Sequence, residues 1–496
     1  MERELFDYDN TREKSVVDYS QGLLNKKFSQ IIEEYTRTPY KTYEDFHTKT
    51  VTTSQDRKIS MKSKGQYGNY IEKYFYGYKL NSDSDPDFDK IGVELKVTPF
   101  KVNKNETISA KERLVLTILN YMEENLDDFY STHLWHKCQK MLLLFYNGKI
   151  DNQTMADYVI EKIFLYEWFE EDMEVILEDY RKIADKIKNG KAHELSESDG
   201  NYLSTCTKGS GGGKDWRDQP FSNVKAKQRA WELKSSYMTY LINHKIFNQS
   251  EQESVVSTAK GEKKSFTGII SEKIMQYKGK AESELYQEFE VNPKAKGKNS
   301  TLIRKMLGLT GDLDKTQEFQ KANLSLRVIR VDKNGQPKED SPFKTYKFKE
   351  LAGNEEWEES EPYVEICNKR FLFVIFKETE KNIFVLDRIK FWGLPDRLID
   401  EVKRVWIETK DIINNGVQLT QTSRGISTNF PQSKVNKVVF TKLHAQNTYY
   451  EIEPNVFVGK GKLSDTDELP DGRHITKHSF WFPKKFLKEV FNGEWE

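Results

Sequence analysis

Pro86-Asp87-Phe88-Asp89-Lys90-Ile91-Gly92-Val93-Glu94-Leu95-Lys96-Val97 is the stretch on which the reading of this chain turns. Side chains alternate along a strand, so Val93, Leu95 and Val97 are expected to face a core while Glu94 and Lys96 point together to the other side. Asp87, seven residues before Glu94, can come back toward that side through the Asp- and Gly-containing turn. Two convergent carboxylates suit Mg²⁺, a hard cation that prefers oxygen ligands and retains waters, and the adjacent ammonium can orient or help deprotonate one of those waters. This is the minimal equipment for metal-assisted hydrolysis of a phosphodiester. In a chain rich in Glu and Lys a bare Glu-x-Lys is usually a solvated face, so the rest of the sequence has to add weight.

At 496 residues the chain is too long for one ordinary core, and two to four domains are expected. A hydrophobic content of 36% with 13% aromatic residues is ample for folded domains, while 31% charged residues exclude a membrane protein. No apolar run approaches the ~20 residues of a spanning helix, and the charged start MERELFDYDN does not read as a signal peptide, so a cytoplasmic protein is expected. Cys138, Cys206 and Cys367 are far apart and have no metal-ligand spacing, which indicates neither a disulfide framework nor a zinc site. A formal net charge of zero argues against a general nucleic-acid coat, but not against a local basic cleft. Between Asn201 and Phe247 lie Lys208, Lys214, Arg217, Lys225, Lys227, Arg229, Lys234 and Lys245, interleaved with Trp216, Phe221, Trp231 and Tyr237, a pattern that suits a DNA-facing patch.

The second half of the chain echoes the first in the same order. Lys162-Ile163-Phe164-Leu165-Tyr166, running on to Asn189-Gly190, lines up without a gap with Arg388-Ile389-Lys390-Phe391-Trp392, running on to Asn415-Gly416. In both, a strand leads into an amphipathic helix that stops at Asn-Gly, a left-handed C-cap signal. Gln139–Tyr146 pairs with Lys369–Phe376, Lys64–Glu72 with Lys296–Arg304, and Arg229–Tyr237 with His478–Phe486. The chain is therefore expected to hold two tandem copies of one mixed α/β (α+β) domain, each a mixed central sheet flanked by helices. Residues 1–248 form the first copy, 249–264 a polar linker and 265–496 the second. The chemical positions differ between them: Glu72 becomes Arg304, Asp87 becomes Glu318, Glu94 becomes Ser325 and Lys96 becomes Arg327. The second copy should not hold a divalent ion, and its cations favour phosphate contact.

The run Lys64-Gly65-x-x-Gly68-x-x-x-Glu72, then Asp87 and Glu94-x-Lys96 within GVELKVTPF, then His136-Lys137, then Asp-Gly-Asn-Tyr-Leu ending at Lys208, resembles the MutH family. SAKERLVLTILNY, GKAHELSE, CTKG, KAKQRA and LKSSYMT make the whole chain similar to the two-domain, GATC-specific type II restriction endonucleases of that family, with an active amino half and an inactive carboxyl half. The resemblance implies that Asp87 and Glu94 bind Mg²⁺ with Glu72 adding a carboxylate. Lys96 would act on the attacking water, and Lys137 would sit near the scissile phosphate. It also implies that Lys64 touches DNA backbone, that Lys208 reads GATC, and that Arg229 and Lys234 contact phosphates. Guanine acceptors in the major groove are sensible partners for a lysine. In the second copy Arg304, Arg327 and His444, the last standing at the Lys208 position, are the expected DNA contacts.

The implied activity is cleavage of double-stranded DNA at GATC, 5′ of the G to leave four-base 5′ overhangs. The second copy would bind another site as an allosteric effector, a palindrome would be cut by two chains as a dimer on DNA or by two sequential nicks, and a cognate DNA methyltransferase would be its functional partner. Two rivals differ in outcome: a strand-specific GATC nicking enzyme of mismatch repair, and a GATC-binding protein that does not cut.

Overall fold

The computed structural model describes residues 8–36, 50–52, 58–60, 66–77, 85–103, 105–122, 125–148, 155–209, 215–250, 252–256, 264–353, 356–423 and 425–495. Two compact units result, Met1–Gln252 with Gln320–Ala322, and Glu253–Phe319 with Asn323–Glu496.

The first unit is built on a mixed sheet ordered Ile108–Ala110, Val93–Val102, Lys140–Asn147, Ile160–Glu167. Val93–Val102 and Lys140–Asn147 run parallel, with Glu94 opposite Met141 and Lys96 opposite Leu143, and both outer pairings are antiparallel. Between Lys140 and Asn147 this strand reads as an unbroken apolar run because it is covered on both faces, with Met141 through Phe145 fully buried. Val93, Leu95, Leu142 and Leu144 share a core with Ile71, Tyr76 and Phe88 and with Val16, Phe28 and Ile31 of the amino-terminal helices. Val97 packs against this core, so the alternation inferred from the sequence holds.

Glu170–Lys188 then buries Val175, Ile176, Tyr180, Ile183 and Ile187, one apolar stripe at helical spacing. It ends in the expected left-handed cap: Gly190 has φ +67, its N–H donates to Ile187 at 2.9 Å, and Lys191 N–H donates to Lys186 at 2.8 Å. A second, antiparallel sheet joins Leu114–Leu119, Arg229–Leu233 and Leu203–Thr207, and Trp216–Gln219 pairs with Ser222–Lys227 in a two-stranded ribbon.

The second unit repeats the register of the inner strands, in a three-stranded sheet that has no strand in the place of Ile108–Ala110 among the described residues. Leu324–Val331 runs parallel to Arg370–Glu380 with Leu324 opposite Arg370, as Val93 is opposite Lys140. Phe371 faces Trp392 as Met141 faces Tyr166, and Leu443 faces His478 as Thr207 faces Arg229. These registers put Ser325 on the rung of Glu94 and Arg327 on the rung of Lys96. The helix Ile399–Asn415 ends at Gly416, whose φ of +100 and ψ of 119 are not the left-handed helical pair expected from Asn-Gly. The second unit also carries a four-stranded sheet, Val456–Gly459, Tyr449–Glu453, His474–Thr476 and Thr466–Glu468. Within the stretch read as a linker, Val255 is fully buried, and its N–H and that of Val256 donate to the Glu318 carboxylate at 2.9 and 3.2 Å. Among the described residues no helix is long and apolar enough to cross a membrane.

Candidate active site

Phe88 and Val93 close the turn before the central strand by exchanging backbone hydrogen bonds of 2.9 and 3.3 Å, with Gly92 at φ +66. That turn brings Asp87 alongside Glu94. Leu95 N–H donates to Asp87 Oδ2 at 2.9 Å, and Asp87 N–H donates to Glu94 Oε2 at 3.2 Å. Lys96 Nζ donates to Glu94 Oε1 at 2.7 Å and to the Leu116 carbonyl at 2.9 Å. Lys137 comes from the short helix His133–Cys138, which Thr132 caps by accepting from Trp135 N–H at 3.0 Å. Its Nζ lies 3.8 Å from Glu94 Oε2 and donates to the Asp85 carbonyl at 3.2 Å. Two carboxylates and two ammonium groups thus converge on the start of one strand. Sequence reasoning missed Leu116 and Asp85, which hold the two lysines; their backbone carbonyls carry no residue-type signal.

Crowding of the carboxylates shows in their protonation. Burial, with Glu94 adding, raises Asp87 to about 6 against the pull of the Leu95 N–H. Burial, with Asp87 and Glu94 adding, raises Glu72 to about 7. Burial also works against the Lys96 ammonium, but Glu94 outweighs it and the lysine is held above its ordinary value. Buried carboxyls that resist ionisation, as Asp87 and Glu72 do, mark a place where a divalent cation relieves repulsion. Among the described residues no three Asp, Glu, His or Cys side chains come together as a metal cage. Asp87 and Glu94 are brought together by the bond from Asp87 N–H to the Glu94 carboxylate and by Leu95 N–H on the Asp87 carboxylate, whereas Glu72, within Ile71–Phe75, is their electrostatic neighbour without completing a three-ligand set. Two carboxylates still fit Mg²⁺, which commonly keeps several waters.

The expected DNA contacts sort by exposure. Lys64 lies outside the described residues, as does Lys214. Lys208 is half-buried just past the strand Leu203–Thr207, its N–H donating to the Gln228 carbonyl at 2.8 Å. Arg229 and Lys234 require correction. Arg229 is 3% exposed and donates to the carbonyls of Thr205 and Leu195; Lys234 is 6% exposed and donates to the Glu197 carbonyl at 3.0 Å. Both cations are used to satisfy backbone acceptors inside the unit and are not offered to a phosphate. Trp231 and Tyr237 are core residues as well, so the basic and aromatic pattern is exposed mainly on the ribbon Trp216–Lys227.

In the second unit Ser325 stands where Glu94 stands in the first. Arg327 donates to the Pro342 carbonyl at 2.6 Å, as Lys96 does to Leu116, and its guanidinium lies 4.7 Å from the Phe343 ring centre. It is packed into its own unit, which corrects its expected role as a phosphate contact. Glu318, expected at the Asp87 position, lies on the helix Gln317–Lys321 and holds the Val255–Val256 backbone. Arg304 is half-buried, with Nη1 on the Thr310 carbonyl. His444 is exposed, and its N–H donates to the Lys477 carbonyl at 2.7 Å, the same rung that Lys208 occupies on Gln228. Its Nδ1 lies 2.9 Å from Ser479 Oγ, and its ring 5.6 Å from that of Trp481.

Residues 76–179 match the family described as the DNA mismatch repair enzyme MutH, a span that contains Asp87, Glu94, Lys96 and Lys137. The chain is also similar to the type II restriction enzyme Sau3AI of Staphylococcus aureus, at 34% identity over 86% of this chain and 92% of the relative.

Proposed function

This chain belongs to the MutH-like family of type II restriction endonucleases, and from that premise we propose that it hydrolyses double-stranded DNA at GATC with Mg²⁺, 5′ of the G to leave four-base 5′ overhangs. The observation that carries the reading is the joining of Asp87, Glu94, Lys96 and Lys137 at one strand end. Asp87 and Glu94, with Glu72 nearby, would hold the ion. When bound, Mg²⁺ supplies positive charge to the scissile phosphate and acidifies water.

The chain's own groups do the remaining work. Lys96 is held charged and commits two ammonium hydrogens to Glu94 and Leu116, so it is a donor that can orient the attacking water and not a base that takes its proton. Lys137, bound to the Asp85 carbonyl beside Glu94, adds charge against the extra negative charge that develops on phosphorus oxygens. Lys208 is proposed to read the guanine edge, and Lys64 to touch the backbone.

Residues 1–248 are proposed to cut, 249–264 to link, and 265–496 to bind a second GATC duplex as effector through His444 and Arg304. Ser325 and Arg327 on the rungs of Glu94 and Lys96 support a second copy that does not cut. A palindrome needs two cuts and the described residues hold one such site, so the enzyme works as two chains on DNA or by two sequential nicks. A cognate methyltransferase would protect host sites, and both would act in the cytoplasm. The test is unmethylated plasmid with Mg²⁺ and then with EDTA. GATC-ended fragments support restriction, open circles alone a nicking enzyme, and intact plasmid with a gel shift a pure binder.

A further inference from the structure

Phe221 is 77% exposed, the highest value among the exposed large apolar side chains of the described residues. It is also at φ +62, a left-handed conformation that a bulky residue rarely adopts. Gln219 pairs with Ser222, so Pro220 and Phe221 are the two loop residues at the tip of the ribbon Trp216–Lys227. Glycine or asparagine would relieve the backbone there and would remove the exposed ring. The sequence instead carries two unfavourable features at one residue, and such an outlier points to a role for the ring itself.

The tip is mounted rigidly. Gln219 is 5% exposed; its Oε1 accepts from Ala192 N–H at 2.7 Å, and its Nε2 lies 3.0 Å from His193 Nδ1. At Gly190 an added Cβ would lie 2.6 Å from the Phe221 carbonyl, so the helix-ending glycine gives the tip its seat. At the base, Tyr121 OH donates to the Lys227 carbonyl at 2.6 Å, and Gln228 receives the N–H of Lys208. The ribbon therefore grows out of the backbone rung that carries Lys208. Its three residue steps from Trp216 to Gln219 span about 10 Å. Trp216, Arg217, Lys225 and Lys227 are exposed along it, against Asp218, which pairs with Lys225 at 3.2 Å.

We propose that the ribbon lies along the duplex with its cations on phosphates and that Phe221 inserts between neighbouring base pairs, acting as a wedge. This rests on the reading of the first unit as a DNA endonuclease. Apolar side chains entering a base step unstack it, and the bend that results brings more protein surface onto the DNA. A wedge at a fixed distance from Lys208 would also set the register of that lysine on the bases.

The experiment uses the full-length protein and GATC duplexes carrying one 2-aminopurine, placed in turn across and beside the site, in EDTA so that the DNA stays whole. Bound wild type should brighten the probe at one step, since unstacking relieves its quenching. Phe221→Gly, which relaxes the backbone, should keep the wild-type melting temperature, lose the brightening and bind about 10-fold more weakly, the usual scale for loss of one aromatic–base stack. Phe221→Leu should retain brightening. A wild-type complex that shifts in a gel yet stays dark at every position overturns the wedge, as does a Phe221→Gly protein that binds and brightens like wild type. Plasmid cleavage separates the two readings: cutting without brightening removes the wedge alone, and Phe221-dependent brightening without cutting removes the endonuclease reading alone.

Discussion

Asp87 and Glu72 are carboxyls raised by burial and by their acidic neighbours to about 6 and about 7, above the 3.8 and 4.5 of the free groups. A carboxyl whose folded value is raised favours folding while it stays protonated, and that contribution is lost as pH climbs through the folded value. Metal binding needs the ionised forms, so Mg²⁺ must displace protons at acidic pH. Mg²⁺ affinity should rise between about pH 5 and pH 7, by up to about tenfold per pH unit for each proton released, and then level off. Calorimetry in buffers of different ionisation enthalpy checks this; a pH-independent affinity without proton release would contradict the assignment of these carboxyls to the ion. Asp87, Glu94 and Lys96 were legible in the sequence because strand alternation is local. Glu72 was legible only through family resemblance, and the structure leaves it beside the pair.

At the scale of elements, the strand Arg229–Leu233 shows where sequence reading fails. A cation-rich, aromatic-rich segment looks the same whether it faces DNA or backbone carbonyls, and only the closing of Leu203–Thr207 against it decides. Arg229→Ala leaves the Thr205 and Leu195 carbonyls without their donor. It should cost about 2–4 kcal/mol of stability, seen in denaturant unfolding. The dependence of DNA affinity on salt should not change; a slope reduced by about one would mean that Arg229 meets a phosphate after all. The Asn-Gly helix stop at Gly190 was legible, but its second duty beneath Phe221 was not, because that contact joins residues 31 positions apart. Gly190→Ala should therefore cost about 1–3 kcal/mol through its positive φ and the clash.

For the whole molecule, the tandem plan was legible from the order of the echoes, and the matched rungs of both units account for them. The fates of the second copy's residues were less legible. Arg327 keeps the carbonyl contact of Lys96 in a new form, and Glu318 serves the unit's own backbone. His444 is exposed on the rung where Lys208 is half-buried. His444→Ala in the full chain should leave basal cleavage of a single-site duplex intact and reduce its stimulation by an added GATC oligonucleotide several-fold. Unchanged stimulation would remove His444 from the effector surface.

The most direct measurement of the central claim is cleavage of unmethylated plasmid by wild type and by Glu94→Ala, with DNA binding followed in parallel. Wild type with Mg²⁺ should yield fragments that all end at GATC and should stop in EDTA, while Glu94→Ala should lose at least about 100-fold in rate and still shift the DNA. Cleavage by Glu94→Ala at the wild-type rate would contradict the account.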